Sequence, residues 1–522
     1  TEPFAKEAVY FVLTDRFVNG DPSNDHREQG TFDIPLPPCN GVSGNIGYLG
    51  GDFKGLAEHL DYIREMGFTS IWITPVVDNP DEPFTGGAAP TCGGSLADKG
   101  KTGYHGYWGV NFYALDEHLP SAGLDFAGFT KAMRRKRLKV VLDIVANHGS
   151  PAYSMPQEQA QFGEIYDKDG RKIADHQNLR PEQLDLANPL HAFYNRKPGL
   201  AELSDNNENN PVVLEYYVGA YSQWIDQGAA AFRVDTIPWM PHAFWKQFAD
   251  RIRAEHPGFF MFGEAFDYKA EKIAEHTWTE NGGYSVLDFP LKEAMGEAFG
   301  RKREGYEKIA AKLYLDNGPY RNPYELTIFY DNHDMPRLDT DDAGFIDAHN
   351  FLFTARGIPV LYYGSETGFM RGAPEHAGNR NYYGQPRVDA AAQSPIYRQL
   401  RRIARVRATT PALQRGLQVN LEMRGERAAF YRVLQQGETR QIALVLLNKG
   451  DSPAEFAVHD KLQPGLWRSA LEGGERNIAS GGTLNATVPA HGVDVFVLDA
   501  NVSDPELRQA LDRARKGATP RD

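Results

Sequence analysis

Four short segments of this chain carry side chains that could cleave an acetal bond. They are Asp143-Ile-Val-Ala-Asn147-His148, Ala231-Phe-Arg233-Val-Asp235, Phe262-Gly-Glu264 and Tyr330-Asp331-Asn-His333-Asp334. Together they supply carboxylates, two imidazoles and a guanidinium. Cleaving an acetal with retention of configuration takes a carboxylate nucleophile and a carboxylic acid about 5–5.5 Å apart. The segments therefore predict a sugar-cleaving site if the fold brings them together.

Each segment lies at or just after an apolar run long enough for a buried strand, and longer amphipathic stretches separate the runs. The eight predicted strands are Val9–Leu13, Ser70–Thr74, Lys139–Asp143, Ala230–Val234, Phe259–Gly263, Tyr284–Asp288, Leu326–Tyr330 and Val360–Tyr363. Strands that alternate with helices predict βα units and a parallel sheet. Eight units favour an α/β fold of the (β/α)8 TIM-barrel type, in which Asp143, Asp235, Glu264 and Asp334 would close strands at the active-site end. The alternative, a doubly wound sheet, would need an early Gly-rich phosphate turn that the chain lacks.

The length of 522 residues exceeds that of an average domain, so we expect additional modules. A long Asn-, Asp- and Pro-rich segment after the third strand predicts a small subdomain on the barrel rim. Alternating patterns near the C-terminus predict an antiparallel β-domain. The expected divisions are a barrel at 1–148 and 212–412, an insertion at 149–211, a β-domain at 413–500 and a tail at 501–522 with a short, solvated charged helix.

The composition excludes several classes of partner. It is typical of a soluble globular protein, with 41% hydrophobic and 24% charged residues. No stretch approaches the roughly 20 apolar residues that a membrane helix requires. A net charge of −13 argues against binding nucleic acid, because phosphates would be repelled. We expect no membrane or nucleic-acid partner, and a monomer as the default.

The two cysteines and the N-terminus bear on cellular location. Cys39 and Cys92 lie in Gly- and Pro-rich loops, and their spacing is compatible with a disulfide or with two free thiols. The chain begins at Thr1 without a charged and then apolar leader, as it would after signal-peptide cleavage or trimming. We expect a secreted or periplasmic protein.

The four segments resemble the conserved regions of the α-amylase family, the large class of retaining α-glucan hydrolases and transglycosylases. The resemblance extends from about Ala8 to Asp499. Within the family the chain is most similar to cyclodextrin glucanotransferases, maltogenic amylases and cyclodextrin-degrading amylases. The family resemblance includes Leu203-Ser-Asp-Asn-Asn207 and Gly357–Glu366, and the closer similarity rests on Thr14-Asp-Arg-Phe17, Tyr104-His-Gly-Tyr-Trp108 and Asp331-Asn-His-Asp334.

The resemblance implies a role for each catalytic carboxylate. Asp235 would be the nucleophile, Glu264 the acid and then the base, and Asp334 the group that holds hydroxyls of the distorted −1 sugar. Arg233 lies two residues before Asp235 on the same side of a strand, where it would keep Asp235 ionised. Desolvation and neighbouring carboxylates would favour protonated Glu264. The implied substrate contacts are Tyr107, His148, Arg233, His333, Trp239, Arg380 and His105, while Asp143 would have a structural role near the site.

The resemblance also implies calcium, which prefers six to eight oxygen ligands. A first site would use side chains of the N-terminal loop and one backbone carbonyl. A second would lie between barrel and insertion, closed by a backbone carbonyl near Trp239. The implied ligands are Asn19, Asp21, Asn24, Asp25, the Gly50 carbonyl and Asp52 for the first site, and Asn147 and Asp205 for the second.

Two departures from the family pattern bear on the reaction. Pro238-Trp239 follows the nucleophile where the family usually has Lys-His, so Trp239 is either a stacking face for the +1 or +2 sugar or a packing residue. Ala201 aligns with the bulky aromatic residue around which cyclising relatives wrap the glucan. The chain also ends after one β-domain, without the further domains of cyclising enzymes.

We therefore expect an endo-acting, retaining hydrolase of α-1,4-glucosidic bonds in soluble maltodextrins or starch, and in cyclodextrins. The alternative is an α-glucan transglycosylase that uses the same covalent intermediate, because acceptor choice depends on differences of a few kcal/mol. A non-catalytic glucan-binding protein would have lost one of Asp235, Glu264 and Asp334, and all three are present.

Overall fold

The computed structural model describes residues 3–91 and 96–517. Eight parallel strands, numbered here along the chain, form its centre: β1 Val9–Val12, β2 Ser70–Ile73, β3 Lys139–Ile144, β4 Ala229–Val234, β5 Phe260–Gly263, β6 Ser285–Val286, β7 Thr327–Ile328 and β8 Ile358–Tyr362. Strands β1 to β6 pair in sequence order, and β8 pairs with both β1 and β7. A parallel bridge between Leu287 and Thr327 joins β6 to β7. The predicted (β/α)8 barrel is confirmed.

The strands are rich in Val, Ile and aromatic residues because both faces of a barrel wall are covered. Strands β1, β2 and β5 are buried along their whole length. In the register, Arg233 on β4 is paired with Asp143 on β3 and with Phe262 on β5. This register brings the side chains at and beyond the ends of β3, β4 and β5 to one rim of the barrel.

Helices alternate with the barrel strands, and several begin at a side chain that caps them. Asp125, Asn210, Asp288 and Asp341 each accept a hydrogen bond from a backbone N–H in the first turn, which satisfies a donor that the helix itself leaves free. Helices before the C-terminal domain are Thr14–Phe17, Phe53–Ala57, Leu60–Glu65, Phe126–Arg135, Pro211–Asp226, His242–Glu255, Ala270–Ala274, Phe289–Phe299, Glu307–Ala310, Asp342–Leu352, Gln385–Ala390, Pro395–Thr409 and Pro411–Arg415.

The segment between β3 and the helix Pro211–Asp226 is tied to the barrel rim at both of its ends. Its strands are antiparallel pairs, His148–Pro151 with Leu203–Asp205 and Glu164–Tyr166 with Lys172–Asp175. A further pair, Val77–Asp78 with Asn111–Leu115, follows β2. A separate small core contains Phe84, Trp108, Met155, Phe162 and Leu203. The insertion therefore forms one wall beside the predicted catalytic residues.

The C-terminal part contains a six-stranded antiparallel sheet, as predicted. In spatial order its strands are Leu417–Arg424, Arg427–Gln436, Thr439–Asn448, Gly492–Leu498, Gly465–Ser469 and Glu475–Ile478. A two-stranded sheet, Ala454–Val458 with Leu484–Val488, lies beside it. Tyr431, Leu444 and Trp467 are buried in a core separate from that of the barrel.

The tail forms the predicted helix, Pro505–Gly517, but not as a solvated element. Leu507, Leu511 and Ala514 are buried, and Leu507 and Leu511 belong to the core of the C-terminal sheet. The charged residues that dominate the sequence of this segment lie on the opposite face. Helical periodicity, rather than overall charge, decides its environment.

Two further predictions from the sequence concern the cysteines and membrane-spanning helices. Cys39 is disulfide-bonded, which excludes a free thiol at this position; Cys92 lies outside the described residues. Within the described ranges, no helix combines the length and the apolar character needed to cross a bilayer.

A histidine of the C-terminal domain joins it to the barrel helix Asp342–Leu352. His491 Nδ1 lies 2.8 Å from Asp347 Oδ2, and its Nε2 lies 2.9 Å from Asp451 Oδ1. The hydrogen bond with Asp347 is the main reason that the pKa of His491 rises to about 9, while burial raises the pKa of Asp347 to about 6. The pair is therefore fully ionic between about pH 6 and pH 9.

Replacing His491 with Ala should lower the free energy of unfolding by about 1–2 kcal/mol at pH 7, the range for a charge-assisted hydrogen bond reduced for partial solvent screening. Because the folded pKa of His491 is raised, its stabilisation is complete below the unfolded pKa of about 6.5 and is lost as pH rises through 9. The difference from wild type also shrinks below pH 6, where Asp347 is protonated. Urea unfolding at pH 5, 7 and 10 measures this.

The matched control is Asp451→Asn, because the Asp451 side chain is 90% exposed. It should change stability by less than about 0.5 kcal/mol at each pH. A His491→Ala effect that is equal at pH 7 and pH 10 would mean that only packing has been lost.

Candidate active site

A cleft of about 380 Å³ opens at the C-terminal end of the barrel strands, between the barrel and the insertion. The three predicted catalytic carboxylates all line it. Its other walls come from the loops after β2, β4, β5 and β8 and from the insertion. The lining residues are Leu96, Asp98, Lys101, His105, Tyr107, Trp108, His148, Leu200, Ala201, Leu203, Asp235, Thr236, Trp239, Glu264, Phe266, His333, Asp334, Glu375, His376 and Arg380.

Arg233 lies beneath the cleft and connects the carboxylates. Its Nη1 donates to Asp143 Oδ1 at 2.9 Å and to Asp235 Oδ1 at 2.7 Å, and its Nη2 donates to Glu264 Oε2. The guanidinium has no exposed surface and does not line the cleft. Arg233 is therefore placed to orient the carboxylates, not to contact a sugar as the sequence predicted.

The contact between Arg233 and Glu264 bears on the predicted protonation of the acid. From the sequence, desolvation and neighbouring carboxylates are both expected to favour protonated Glu264. The structure adds a guanidinium in direct contact, which favours the ionised form. This third contact of Arg233 arises from the neighbouring strand β5, so the local sequence around Arg233 does not reveal it.

Asp143 lies behind the site in a fully bonded environment. Its Oδ2 accepts hydrogen bonds from Trp72 Nε1 at 2.9 Å and from the Tyr107 hydroxyl at 2.6 Å. Burial raises the pKa of Asp143 to about 7 even though Arg233 opposes the shift. These contacts agree with the predicted structural role.

Tyr107 lines the cleft and is half-buried. Its hydroxyl bonds to Asp143 and lies 2.9 Å from His333 Nε2. Its backbone N–H donates to Nδ1 of His105 at 3.0 Å. With the hydroxyl and the backbone both held, the ring has a defined orientation, as a platform for a sugar requires.

The remaining predicted substrate residues also reach the cleft. His148 Nε2 lies 3.9 Å from Asp235 Oδ2, and burial lowers its pKa. His333 is fully buried, and burial lowers its pKa well below the usual value. Both imidazoles are therefore neutral at pH 7 and can exchange hydrogen bonds with hydroxyl groups without adding charge.

Asp334 is surrounded by nitrogen donors from two loops. Arg380 Nη2 donates to Asp334 Oδ1 at 2.8 Å, and His333 Nε2 lies 3.4 Å from Oδ2. Burial alone would raise the pKa of Asp334, but His333, His376 and Arg380 lower it well below its usual range. Asp334 is therefore an ionised carboxylate held at the cleft surface.

Two large aromatic side chains that line the cleft are exposed. Trp239, on the turn after β4, is 54% exposed, and Phe266, two residues after Glu264, is 48% exposed. Ala201 lines the same cleft. The position that aligns with the bulky aromatic residue of cyclising relatives therefore faces the cleft, but its side chain is only a methyl group.

Several cleft residues are not predicted from the sequence. Phe266 carried a signal, because an aromatic residue lay close to the predicted acid on the loop after β5. His376 and Glu375 carried none, because they lie in an irregular segment between β8 and the helix Gln385–Ala390. Asp98 and Lys101, which form a 2.6 Å ion pair on the cleft wall, come from the equally irregular loop after β2.

The first predicted calcium site is largely assembled. Asn19 Nδ2 donates to Asp25 Oδ1 at 2.8 Å, and Asn24 Nδ2 donates to Asp52 Oδ2 at 3.1 Å. The amide oxygens of both asparagines are buried and have no hydrogen-bond partner among the described residues. Gly50 has φ +89°, and a Cβ there would lie 2.6 Å from Asp25 Oδ1, so only glycine can bring its carbonyl so close to this cluster.

One predicted ligand of this site points elsewhere. Asp21 Oδ1 accepts hydrogen bonds from the backbone N–H and the hydroxyl of Ser23 at 3.1 and 2.6 Å. Asp21 acts as the cap of the short 3-10 turn Pro22–Asn24, a local bond that competes with metal ligation. Asp52 also has local partners, since it caps the helix Phe53–Ala57 and accepts from the backbone N–H groups of Gly20, Asp21 and Gly55. The buried amide oxygens of Asn19 and Asn24 fit a hard cation, because calcium binds carbonyl oxygens as well as carboxylates.

Of the predicted ligands of the second calcium site, Asn147 directly precedes the strand His148–Pro151, and Asp205 ends its partner strand Leu203–Asp205. The backbone N–H of Asn206 bonds to the Asn147 carbonyl at 2.9 Å, next to Asp205. Asp205 Oδ2 accepts from Asn195 Nδ2 at 2.8 Å. Among the described residues, two groups of side chains are close enough to share an ion: Asp116, Glu117 and His118, and Asp78, Asp81 and Glu117. Neither group contains a predicted ligand.

Comparisons with known proteins agree with this geometry. The α-amylase catalytic domain model matches residues 11–411. The cyclomaltodextrin glucanotransferase of Klebsiella oxytoca is 27% identical over 524 residues, covering 91% of this chain and 75% of that protein.

Among solved structures, CldA, described as a cyclomaltodextrin glucanotransferase with a three-domain ABC distribution, is 32% identical. Its TM-score is 0.77, and the match covers 95% of this chain and 99% of CldA. The α-amylase of Geobacillus thermoleovorans complexed with acarbose is 25% identical with a TM-score of 0.73, and the match covers 96% of this chain and all of that one. A barrel, an assembled trio of carboxylates and these matches lead to one conclusion: the chain belongs to the α-amylase family.

Proposed function

We propose that the protein cleaves α-1,4-glucosidic bonds in soluble maltodextrins, starch and cyclodextrins with retention, through a β-glycosyl-enzyme on Asp235. Asp235 attacks the anomeric carbon as Glu264 protonates the departing oxygen. Glu264 then removes a proton from the incoming acceptor, which attacks the same carbon and releases Asp235. Asp334, ionised and held by Arg380, binds hydroxyls of the sugar at the bond being cleaved.

The observation that carries this proposal is the sharing of one guanidinium by Asp235 and Glu264. One terminal nitrogen of Arg233 contacts Asp235 and the other contacts Glu264. Two carboxylates on adjacent nitrogens of one planar group favour the short separation of retaining enzymes, about 5–5.5 Å, over the 6.5–9.5 Å that an inverting mechanism requires.

Hydrolysis is the proposed main outcome because the acceptor side offers few polar contacts. Pro238 has no side-chain donor where the family usually has lysine, and Ala201 offers no ring around which a chain could wrap. An acceptor sugar therefore competes with water mainly through apolar contact. A water molecule can act as the acceptor without such contacts.

Transfer to a sugar is a second candidate that specific observations favour. Trp239 and Phe266 are exposed rings in the cleft next to Asp235 and Glu264, and rings of this kind hold sugars while excluding water. CldA, described as a glucanotransferase, has only three domains. A barrel, an insertion and one β-domain are thus compatible with transfer.

A chromatographic time course of products from maltoheptaose and from a cyclodextrin tests the proposal. Only shorter linear sugars are expected early, with the α-anomer formed first, as retention requires. Early products longer than the substrate, or cyclic ones, would establish transfer as the main reaction. No cleavage of either substrate, or a β-anomer as first product, would reject the proposal.

Trp239→Ala should alter products more than cleavage. Losing about 1 kcal/mol of stacking should lower the ratio of transfer to hydrolysis about fivefold, while total bond cleavage stays within about threefold of wild type. Product ratios at high maltotriose concentration measure this. Phe266→Ala should act in the same direction.

Leu466→Ala is the matched control for these variants, since Leu466 is 39% exposed but lies in the C-terminal sheet. Its product ratio should equal that of wild type. If Trp239→Ala lowers only the melting temperature, Trp239 is a packing residue.

We propose that calcium binds at the first site through Asn19, Asn24, Asp25, the Gly50 carbonyl and Asp52. The unpartnered buried amide oxygens of Asn19 and Asn24 support this. When bound, the ion would fix the loop after β1 against the segment Gly50–Asp52. A role at Asn147 and Asp205 is a further proposal that rests on the family resemblance alone.

Excess chelator should lower the melting temperature by about 3–5 °C, because an ion at a concentration 100 times its Kd stabilises the folded state by about 2.7 kcal/mol. Asn19→Ala should melt lower than wild type and should not respond to chelator, because its site is already lost. Differential scanning calorimetry with and without added calcium measures both.

Asp81→Asn, in the acidic cluster without predicted ligands, is the control and should keep the wild-type response to chelator. A response that disappears in Asp81→Asn and persists in Asn19→Ala would move the ion to that cluster.

We also propose that the protein is exported to the periplasm or the medium. The disulfide at Cys39 supports an oxidising compartment. Amylolytic activity should then fractionate with the periplasm or medium of the source cells, separately from a cytoplasmic marker. Activity found only with that marker would reject export.

A further inference from the structure

His376 contacts the carboxylate of Asp334 from the loop after β8. Its Nε2 lies 3.3 Å from Asp334 Oδ1, the oxygen that also accepts from Arg380. His333 faces the other oxygen. Asp334 is thus held on one side by the chain segment next to it and on the other by His376 and Arg380, more than 40 residues away along the chain.

The surroundings of His376 decide which ring nitrogen carries the proton. Its Nδ1 is buried and has no hydrogen-bond partner among the described residues. A proton there would be an unsatisfied buried donor, which costs about 1–3 kcal/mol. The proton therefore belongs on Nε2, which lies 3.3 Å from Asp334 Oδ1.

His376 acts as a neutral donor. Burial, with Arg380 and Lys101 nearby, lowers its pKa to about 3 despite Asp334. Arg380 already supplies the compensating charge for Asp334. A neutral N–H adds direction without a second charge, so its effect is on the orientation of the carboxylate.

The backbone of His376 supports a functional placement. Its φ is +52°, in the left-handed region that costs a residue other than glycine about 1–2 kcal/mol. Such conformations persist where a surrounding structure imposes them, and they cluster at active sites. Here the conformation presents the imidazole to the cleft wall, 82% buried, against Asp334.

We propose that His376 is a positioning residue for Asp334, holding its Oδ1 so that the carboxylate faces the sugar at the bond being cleaved. The inference rests on the proposed function, in which Asp334 binds that sugar. Because Asp334 binds the distorted sugar most strongly, misplacing it should weaken binding of the transition state more than binding of the substrate. The effect should therefore appear in kcat and leave KM nearly unchanged.

Two amide variants separate orientation from packing. The side-chain nitrogen of Gln occupies about the position of Nε2, and that of Asn about the position of Nδ1. His376→Gln can still donate to Asp334, and we expect its kcat on maltoheptaose within about threefold of wild type. The shorter side chain of His376→Asn cannot reach Asp334. We expect its kcat to fall at least tenfold, with KM within about twofold of wild type.

A purely structural role predicts a different result. Both variants lose the ring, so a packing defect would lower both activities and both melting temperatures alike. Equal losses in the two variants, a change confined to KM, or a wild-type kcat in His376→Asn would each overturn the proposal. Melting temperatures keep the comparison valid if one variant is less stable.

A double-mutant cycle with Asp334→Asn identifies the group through which His376 acts. Adding His376→Asn to Asp334→Asn should lower the residual kcat by less than twofold, because the contact is already lost. A full tenfold additional loss would mean that His376 acts elsewhere. If the wild-type protein cleaves no α-glucan, the proposed function fails; if it cleaves and the variants match it, only the positioning role fails.

Discussion

Glu264→Gln is expected to lower kcat on maltoheptaose by at least about 10²–10⁴-fold, the contribution of a positioned general acid. Gln has nearly the same shape and can still bond to neighbouring groups, but it cannot release a proton to the departing glucan oxygen or accept one from water. Binding of maltodextrin should persist, because Asp334, Tyr107 and His333 are unchanged. Steady-state kinetics and calorimetric titration with maltoheptaose measure the two quantities.

The leaving group provides a sharper test of the same prediction. α-Maltosyl fluoride carries a leaving group that departs without protonation, so the first step should survive in Glu264→Gln and a glycosyl-enzyme should accumulate, visible by mass spectrometry on a peptide containing Asp235. Glu215→Gln, on an exposed surface pair with Arg251, is the control and should keep the wild-type rate. Near-normal cleavage of maltoheptaose by Glu264→Gln would reject Glu264 as the acid.

Arg233→Met is expected to lose at least about 10³-fold in kcat and to destabilise the fold by about 3–5 kcal/mol. Removing one partner of a buried ionic network leaves the others uncompensated, and here Asp143, Asp235 and Glu264 all lose the same guanidinium. A carboxylate that takes up a proton for lack of a partner is no longer a nucleophile. The activity loss therefore follows from the loss of charge, even in molecules that remain folded.

The pH dependence of Arg233→Met has a definite sign. Burial already raises the pKa of Asp143 to about 7 in the presence of Arg233, and without the guanidinium it should rise further. A raised acidic pKa means that the folded state binds more protons than the unfolded state, so stability falls as pH rises above about 4. The destabilisation of Arg233→Met relative to wild type should be larger at pH 8 than at pH 5, measured by urea unfolding.

Arg356→Met is the matched control for this variant. Arg356 is also fully buried, and its Nη1 donates to Asp288 Oδ2 at 2.7 Å, but it lies outside the cleft. It should lose comparable stability and retain activity in the folded fraction. If both variants lose activity in proportion to unfolding, Arg233 has no role beyond stability.

The strand-end residues show how much of the site can be predicted from sequence. Buried strands are continuous apolar runs, so β1 to β8 are visible in the sequence, and parallel strands place their C-terminal ends on one rim. That is why Asp235, Glu264 and Asp334 could be assigned to one cleft before any coordinates. The tail was predicted less well, because charge content concealed the apolar stripe of Leu507 and Leu511.

The sequence by itself determined the barrel, the C-terminal sheet and the position of Asp235, Glu264 and Asp334 at one rim of the barrel, because these depend on periodicity and on the ends of strands. Only the tertiary structure decided that Arg233 also holds Glu264, that His376 reaches Asp334, and that Asp21 bonds to Ser23. Each of these contacts depends on the path of a strand or loop distant in the chain, or on a local turn that competes with a ligand. Hydrophobic periodicity carries no information about such paths. Loop sequences have no repeating apolar pattern, and their polar side chains can contact residues that are distant in the chain.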